Sequence, residues 1–199
     1  VMYLTRFTIN QSRVALGWLA NPYRVHQRLL MAYTTEERLL LRIEESDAGS
    51  TILVQSNVAP DWQAAFADFE VLTGTPEIKS FSLQLIPGGM YRFRLLANPT
   101  VTREKKRLGL LKEEDQRAWL ERQFEKNGAR LLGCQVVTKG LQRSRRNPLK
   151  TQGYQTHLAV LYEGVVRVEN AETLIGAVRT GIGHAKAYGF GLLSLARSL

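Results

Sequence analysis

The chain has 199 residues, which is enough for one large domain or for two domains of about 90–100 residues each. Apolar residues make up 44% of it, so the composition supports a folded core. No apolar run is long enough to cross a membrane, and no leader peptide is visible. The chain has a single cysteine, Cys134, which excludes an internal disulfide and a cysteine-based metal cluster. These features predict a protein of the reducing cytoplasm.

The formal net charge of +9 is concentrated in the middle of the chain. Residues 103–150 hold 14 Lys and Arg against 6 Asp and Glu, whereas the rest of the chain holds 13 against 12. A localised basic field favours a polyanionic partner, and nucleic acid is the commonest polyanion. A solvated basic loop without a partner is the alternative.

The first half of the chain has the element order of a ferredoxin-like fold. Hydrophobic periodicity predicts a strand over residues 3–9, a loop or partial helix over 10–20 and a helix over 22–33. The remaining predicted elements are strands at 39–44 and 51–55, a short helix from Asp61, and a strand at 81–86. Together they give the order β-α-β-β-α-β.

The same order repeats after a break at Pro87-Gly88-Gly89, so residues 1–86 and 91–199 are predicted to form separate domains. The second set contains a strand at 91–96, a helix at 113–126, a strand at 131–137, a basic loop or hairpin tip at 139–150, a strand at 156–168, a helix at 171–179 and a strand at 192–196. We therefore predict an α+β protein of two tandem ferredoxin-like domains, with a cleft and a basic surface between them.

The helix over residues 22–33 has clear start signals and an apolar stripe. Asn21 is predicted to cap the helix, and Pro22 suits its first turn. Val25 and Leu29 lie at helical spacing on the face that should meet the core. The pattern therefore predicts which face of this helix is buried.

His26 lies at the edge of that stripe, and Tyr23 precedes it by three residues. Residues at this spacing share one surface of a helix, so the imidazole and the phenol can be neighbours. Spacing alone leaves two interpretations of His26, a half-buried packing residue or a group that transfers protons.

A glycine-rich segment near the C-terminus contains four glycines in residues 181–191, together with Lys186. Such a segment lets the backbone approach a phosphate closely, and a lysine adds a positive charge. Its spacing is that of neither a Walker A loop nor a Rossmann fingerprint. A tight connection between a helix and a strand is the alternative to a phosphate site.

Two clusters carry much of the central positive charge, and stacking aromatics are absent from the usual strand positions. This combination favours recognition of nucleic-acid shape or duplex over stacking on single-stranded bases. The candidate contacts are Lys105, Lys106 and Arg107 in one cluster and Arg143, Arg145, Arg146 and Lys150 in the other.

The sequence gives little support to metal or cofactor chemistry. His26, His157 and His184 are far apart and lack metal-ligand spacing. There is no Gly-x-Ser-x-Gly elbow, and Cys134 has no obvious activating neighbour. We therefore predict neither a metal site nor a cofactor.

Four segments together carry a family resemblance that extends from end to end of the chain. They are Met2-Tyr3-Leu4-Thr5, Tyr23-Arg24-Val25-His26, the run from Tyr91 to Pro99, and the glycine-rich run from Gly181 to Leu195 with Ala185 and Lys186. With these segments the chain resembles the CasE-type CRISPR endoribonucleases, the repeat-cleaving subunits of type I-E systems within the RAMP group.

The resemblance implies a metal-independent endoribonuclease of the prokaryotic cytoplasm. Such an enzyme cleaves CRISPR repeat hairpins in precursor RNA, leaves a 2′,3′-cyclic phosphate and a 5′-OH, and stays on its product with the other Cascade subunits. It implies that His26 acts as general acid or base with help from Tyr23, while the two basic clusters and Lys186 bind the hairpin. Neither a cofactor nor a membrane is implied.

Two other functions remain open at this point. A non-catalytic RNA-binding RAMP-type subunit of a CRISPR complex would have the same fold and would bind RNA without cleaving it. A scaffold whose basic patch docks an acidic protein would bind RNA weakly and without preference for a hairpin.

Overall fold

The computed structural model describes residues 1–145 and 153–198 of the chain. These residues divide into two compact units. The first unit comprises Val1–Ser82, Lys186–Gly189 and the described part of residues 143–155. The second comprises Leu83–Gln142, Thr156–Ala185 and the described part of residues 190–199. Short pieces of the C-terminal half therefore belong to the unit that the N-terminal half builds.

The first unit is built on a four-stranded sheet with the strand order β2-β3-β1-β4. The chain supplies these elements as β1 (Met2–Ile9), α1 (Arg13–Leu19), α2 (Pro22–Leu30), β2 (Leu40–Ser46), β3 (Gly49–Ser56), α3 (Trp62–Phe66) and β4 (Glu77–Phe81). Central strand β1 pairs antiparallel with both β3 and β4. Because side chains alternate along a strand, Phe7 and Ile9 of β1 both face the core.

The helices of the first unit pack their apolar residues on one face of this sheet. Val25 and Leu29 of α2 are completely buried in the resulting core. Trp62 of α3 packs edge-on against Phe7, with the ring centroids 4.8 Å apart. Its indole N–H donates a hydrogen bond of 3.0 Å to the buried hydroxyl of Thr5, which satisfies both polar groups. The core thus holds the inner face of α2.

The second unit repeats the topology of the first. Its elements are β5 (Met90–Ala97), β6 (Thr100–Arg103), β7 (Lys106–Gly109), α4 (Glu113–Lys126), β8 (Ala129–Arg145), β9 (Tyr154–Val168), α5 (Ala171–Thr180) and β10 (Leu193–Arg197). The end of β8 after Gln142 and the start of β9 before Thr156 belong to the first unit. The main sheet has the order β10-β5-β9-β8, while β6 and β7 form a separate hairpin. Each main sheet places its first and third strands at the centre, which is the ferredoxin-like arrangement and confirms the predicted fold class.

The longest helix among the described residues is α4, with 14 residues. No helix in the part of the chain that the structure describes is long and apolar enough to cross a membrane.

The strand predicted over residues 81–86 is wrong. The strand at this point is β4, Glu77–Phe81, which pairs with β1 so that Met2 lies opposite Phe81. Most of β4 is exposed at the edge of the sheet, so its side chains lack the apolar alternation by which a strand is recognised. Backbone pairing with β1 forms this strand instead.

A basic loop or hairpin tip is predicted over residues 139–150, but residues 139–145 belong to strand β8 and residues 146–150 lie outside the described residues. Strand β8 continues to Arg145, because its backbone pairs within the sheet although its side chains are largely polar. The β6–β7 hairpin was not predicted for a similar reason. Its residues, 100–109, are mostly exposed and carry no apolar alternation.

Gly164 of β9 lies so close to β8 that a side chain does not fit there. A Cβ atom at Gly164 would collide with the carbonyl oxygen of Gly133 and would lie 2.7 Å from the Cα atom of Cys134. Both are backbone atoms, so we expect Gly164→Ala to lower the free energy of unfolding by about 3 kcal/mol. Urea unfolding followed by circular dichroism measures this loss.

Gly133→Ala is the matched control for that experiment. A Cβ atom at Gly133 meets no other atom within 4 Å. We expect this variant to change the free energy of unfolding by less than about 0.5 kcal/mol. Equal effects of the two substitutions would contradict the close approach of β9 to β8.

Candidate functional site

The candidate site is built on α2, whose sequence decides which side chains face the core. Pro22 occupies the first turn, where its missing N–H has no helical partner to lose. Val25 and Leu29 are buried, whereas Tyr23 and His26 lie beside them and remain partly exposed. The helix therefore holds both rings on its flank, where a ligand can reach them.

The rings of Tyr23 and His26 are neighbours, as the spacing predicts. Their centroids are 6.4 Å apart and their planes are inclined by 22°. Burial lowers the pKa of His26 below its ordinary value, because desolvation disfavours the imidazolium. The imidazole is therefore mainly neutral at neutral pH, and in this form it can accept a proton.

The glycine-rich segment brings a third ring to α2. Its 3-10 turn, Lys186–Tyr188, packs against α2 and β2. The ring of Tyr188 stacks on that of Tyr23, with the centroids 5.3 Å apart and the planes inclined by 30°. Tyr188, Tyr23 and His26 thus form a continuous row of rings, here called the ring stack.

Left-handed backbone conformations flank this turn on both sides. Ala185, just before it, has a φ of 60°, and Gly189, just after it, has a φ of 90°. Glycine adopts such angles without strain, whereas alanine does so at a cost, and strained residues cluster near functional sites. The N–H of Gly189 closes the turn by donating a hydrogen bond of 3.2 Å to the carbonyl oxygen of Lys186. This backbone geometry places the turn that contains Lys186 and Tyr188 against α2 and β2 of the first unit.

Lys186 belongs to the same unit as His26. Burial, and secondarily the positive charge of Arg38, lowers the pKa of Lys186. A half-buried ammonium near a second cation is stabilised by a bound anion, and a phosphate group has the required charge. Sequence reasoning missed Arg38, because it lies in an irregular segment without a recognisable motif.

Asn21 does not cap α2, contrary to the prediction. Its side chain makes no capping hydrogen bond. Instead its Nδ2 atom donates a hydrogen bond of 3.1 Å to the backbone oxygen of Arg145. The contact satisfies a carbonyl that is partly withdrawn from water, and it joins the start of α2 to the end of β8.

Two of the predicted RNA-binding arginines lie on this end of β8. Arg143 is exposed, whereas Arg145 is half-buried, with its guanidinium 4.3 Å from the centre of the Tyr154 ring. The other two residues of this predicted cluster, Arg146 and Lys150, lie outside the described residues. Arg143 is thus the member whose side chain the structure presents to solvent.

Lys105, Lys106 and Arg107 belong to the second unit, on the β6–β7 hairpin. Glu104 and Lys105 form its turn with φ values of 47° and 63°. Two successive positive φ values are typical of tight hairpin turns, but the sequence lacks the Asn-Gly or Asp-Gly pair that would signal one. All three cationic side chains are exposed at the tip and along β7.

The other two histidines belong to the second unit. His157 Nδ1 lies 3.2 Å from Nδ2 of Asn98, and burial lowers the pKa of this histidine. His184 is exposed in the glycine-rich segment. Within residues 1–145 and 153–198, no three His, Cys, Asp or Glu side chains are grouped as they would be around a metal ion. His26 is the histidine that belongs to the ring stack.

The two sheets have the same ferredoxin-like strand order, a histidine lies beside a tyrosine, and several Lys and Arg side chains are exposed. These features define a tandem ferredoxin-like protein that is suited to binding nucleic acid. A family model described as CRISPR associated protein matches residues 2–197. The chain belongs to this family of CRISPR-associated proteins, and the resemblance inferred from the four sequence segments is confirmed.

Three relatives illustrate the similarity. CRISPR-associated endoribonuclease Cse3 of Thermus thermophilus is 35% identical over 216 residues, which cover 98% of this chain and all of that protein. CRISPR system Cascade subunit CasE of Escherichia coli K12 is 31% identical and covers 98% of this chain and 99% of the relative. A solved structure of the endoribonuclease Cse3 bound to a 19-nucleotide RNA has a TM-score of 0.86 at 35% identity, covering 98% of this chain and 99% of that one.

The hydrogen bond from Asn21 to Arg145 can be tested separately from helix capping. A carboxylate caps a helix as well as an amide does, but it cannot donate to a carbonyl group. We therefore expect Asn21→Asp to lower the free energy of unfolding by about 1–2 kcal/mol, measured by thermal unfolding.

Asn170→Asp is the matched control. The Oδ1 atom of Asn170 caps α5 by accepting a hydrogen bond of 3.0 Å from the N–H of Thr173, a role that a carboxylate also fills. This variant should unfold at the temperature of the unchanged protein. A neutral Asn21→Asp, or an equal loss in both variants, would contradict the role assigned to Asn21.

Proposed function

We propose that this chain is an endoribonuclease that cleaves the repeat hairpins of precursor CRISPR RNA without a metal ion and keeps its product within a Cascade complex. The names of the Thermus and Escherichia relatives support the reaction class and the partner subunits. The pairing of a half-buried His26 with Tyr23 supports the mechanism. Since precursor RNA is transcribed there, the proposal also places the protein in the prokaryotic cytoplasm.

RNA contains the nucleophile for this reaction. The 2′-oxygen attacks the adjacent phosphorus, the bond from phosphorus to the 5′-oxygen breaks, and the products are a 2′,3′-cyclic phosphate and a 5′-OH. The 2′-OH must lose a proton and the leaving 5′-oxygen must gain one. A protein catalyses this step by aligning the strand, moving protons and stabilising the charge on the phosphoryl oxygens.

The lowered pKa of His26 supports its role as the base that takes the proton of the 2′-OH. A neutral imidazole is ready to accept a proton, and bound phosphates stabilise the imidazolium that results. With His26 as base, the rate of cleavage rises with pH through the pKa of this histidine and levels off above it. A fall in rate over the same pH range would instead identify His26 as the acid.

Tyr23 and Lys186 are suited to the phosphate. The phenol of Tyr23 can donate a hydrogen bond to a non-bridging oxygen, and it lies beside the imidazole. The ammonium of Lys186 gains stability when an anion offsets its partial burial and the charge of Arg38. Both groups would stabilise the negative charge that develops at phosphorus.

The exposed cations of both units supply affinity for the hairpin. Lys105, Lys106 and Arg107 project from β6–β7, and Arg143 projects from β8. Each contact with a phosphate releases counterions, so this binding is strong, dependent on salt and insensitive to base sequence. Arg145, Arg146 and Lys150 are the further proposed RNA contacts of the second cluster, of which Arg146 and Lys150 lie outside the described residues.

The catalytic assignment predicts a large loss of cleavage without a loss of binding. We expect His26→Ala to lower the single-turnover rate on a labelled repeat hairpin by about 100-fold or more, because it removes the proton acceptor. Hairpin affinity in a filter-binding assay should stay close to that of the unchanged protein. His184→Ala, which removes an exposed histidine of the second unit, should cleave normally.

Excess EDTA tests the proposed independence from metal. The rate should be unchanged, and a loss that Mg²⁺ restores would show that a metal ion takes part.

Full activity of His26→Ala would refute the catalytic role of this histidine. If the unchanged protein binds the hairpin and leaves it intact, the chain is the non-catalytic RNA-binding subunit.

The salt dependence of binding tests the cationic residues. We expect Arg143→Ala to weaken hairpin binding and to reduce the slope of log K against log salt concentration by about 0.9, the value for one lost phosphate contact. Lys106→Ala should act in the same way from the second unit. Arg179→Ala removes an exposed arginine of α5 outside both clusters and should leave affinity and slope unchanged. If Arg143→Ala and Lys106→Ala leave the affinity and the slope as unchanged as Arg179→Ala does, neither cluster takes part in hairpin binding.

A further inference from the structure

The ring stack contains one member to which the proposed chemistry gives no task. Tyr188 is only 8% exposed, so its ring is held more firmly than the partly exposed rings of Tyr23 and His26. It stacks on Tyr23, which stacks in turn on His26. Tyr188 thus lies at the buried end of the stack, and His26, which would accept the proton, lies at the other end.

The backbone that carries Tyr188 is anchored on the core of the first unit. A Cβ atom at Gly189 would lie 3.7 Å from the side chain of Leu41, which is completely buried in that core. The turn before Gly189 is closed by its own hydrogen bond and is entered through the left-handed Ala185. Tyr188 is therefore a rigid support rather than a mobile side chain.

The imidazole of His26 needs such a support. In the described part of the chain, the ring of His26 packs against that of Tyr23, and this packing helps to determine its position. Its helix has nine residues, and only the inner face of that helix is held by the core. Stacked rings limit sideways movement of the imidazole, and catalysis requires its nitrogen to lie within hydrogen-bond reach of the 2′-OH.

We infer that Tyr188 is a positioning residue whose ring holds Tyr23, and through it His26, in the orientation required for cleavage. The inference rests on the proposed function, since it concerns the same histidine. The contact with Tyr23 is one of ring on ring, so the aromatic ring of residue 188 carries the effect.

Two substitutions separate the ring from the hydroxyl group. Tyr188→Phe keeps the ring, and we expect it to cleave the hairpin at nearly the rate of the unchanged protein. Tyr188→Leu removes the ring, and we expect its single-turnover rate at saturating RNA to fall by about 10- to 100-fold, the cost of a misplaced catalytic group. Hairpin affinity should stay within about twofold in both variants, because the loss concerns the transition state.

A second measurement does not depend on cleavage. The imidazole of His26 can be titrated by NMR in the protein without RNA. Loss of the ring frees Tyr23 to move away from the imidazole, so Tyr188→Leu should raise the pKa of His26 towards its ordinary value, whereas Tyr188→Phe should leave it unchanged. A purely structural role of Tyr188 would lower the melting temperature without this shift. Tyr33→Leu, which disturbs the packing of the first unit on Trp62, provides that comparison.

Three results would overturn the inference. They are an unchanged rate in Tyr188→Leu, an equal loss in Tyr188→Phe, and a loss of rate with an unaltered His26 titration. If Tyr188→Leu does not fold, Tyr188→Met fills the same space without a planar ring and faces the same criteria. Failure of the proposed function is distinguishable, because it would appear as an intact hairpin with the unchanged protein or as full cleavage by His26→Ala, whatever the titration of His26 shows.

Discussion

The packing of α2 on the sheet of the first unit is the interaction on which the candidate site depends. A helix of nine residues is marginal in water, so burial of Val25 and Leu29 holds it in place. The same packing places Tyr23 and His26 on the flank of the helix, where both side chains are partly exposed. Desolvation then lowers the pKa of His26 and leaves a neutral imidazole. The packing of α2 on the core therefore contributes both to the stability of the fold and to the lowered pKa of His26.

Segments distant in sequence complete this site within the first unit. Asn21, at the start of α2, bonds to the carbonyl oxygen of Arg145, 124 residues away. Tyr188 stacks on the flank of α2 from the glycine-rich turn. Each contact restrains a different part of the helix, its start and its exposed side. The site thus requires the C-terminal half of the chain, although its proposed catalytic residues belong to the N-terminal half.

The cations divide into two electrostatic environments, and this division suits the two parts of the proposed function. Lys186 is half-buried near Arg38, where a bound anion relieves both desolvation and repulsion. Arg143 and the cations of the β6–β7 hairpin are exposed, where water and salt weaken each contact. The first environment is suited to one phosphate at a defined place. The second is suited to a long stretch of RNA backbone.

Local patterns in the sequence were sufficient for α2, α4 and the repeated ferredoxin-like order, because helical periodicity is a property of neighbouring residues. The sequence also determined the family and the pairing of Tyr23 with His26, since three-residue spacing on a helix brings side chains together wherever the helix lies. Only the tertiary structure decided the bounds of β4, the partner of Asn21 and the position of Tyr188. Each of these depends on a contact across more than 70 residues of sequence, as between Met2 and Phe81, and a local pattern contains no information about such a partner.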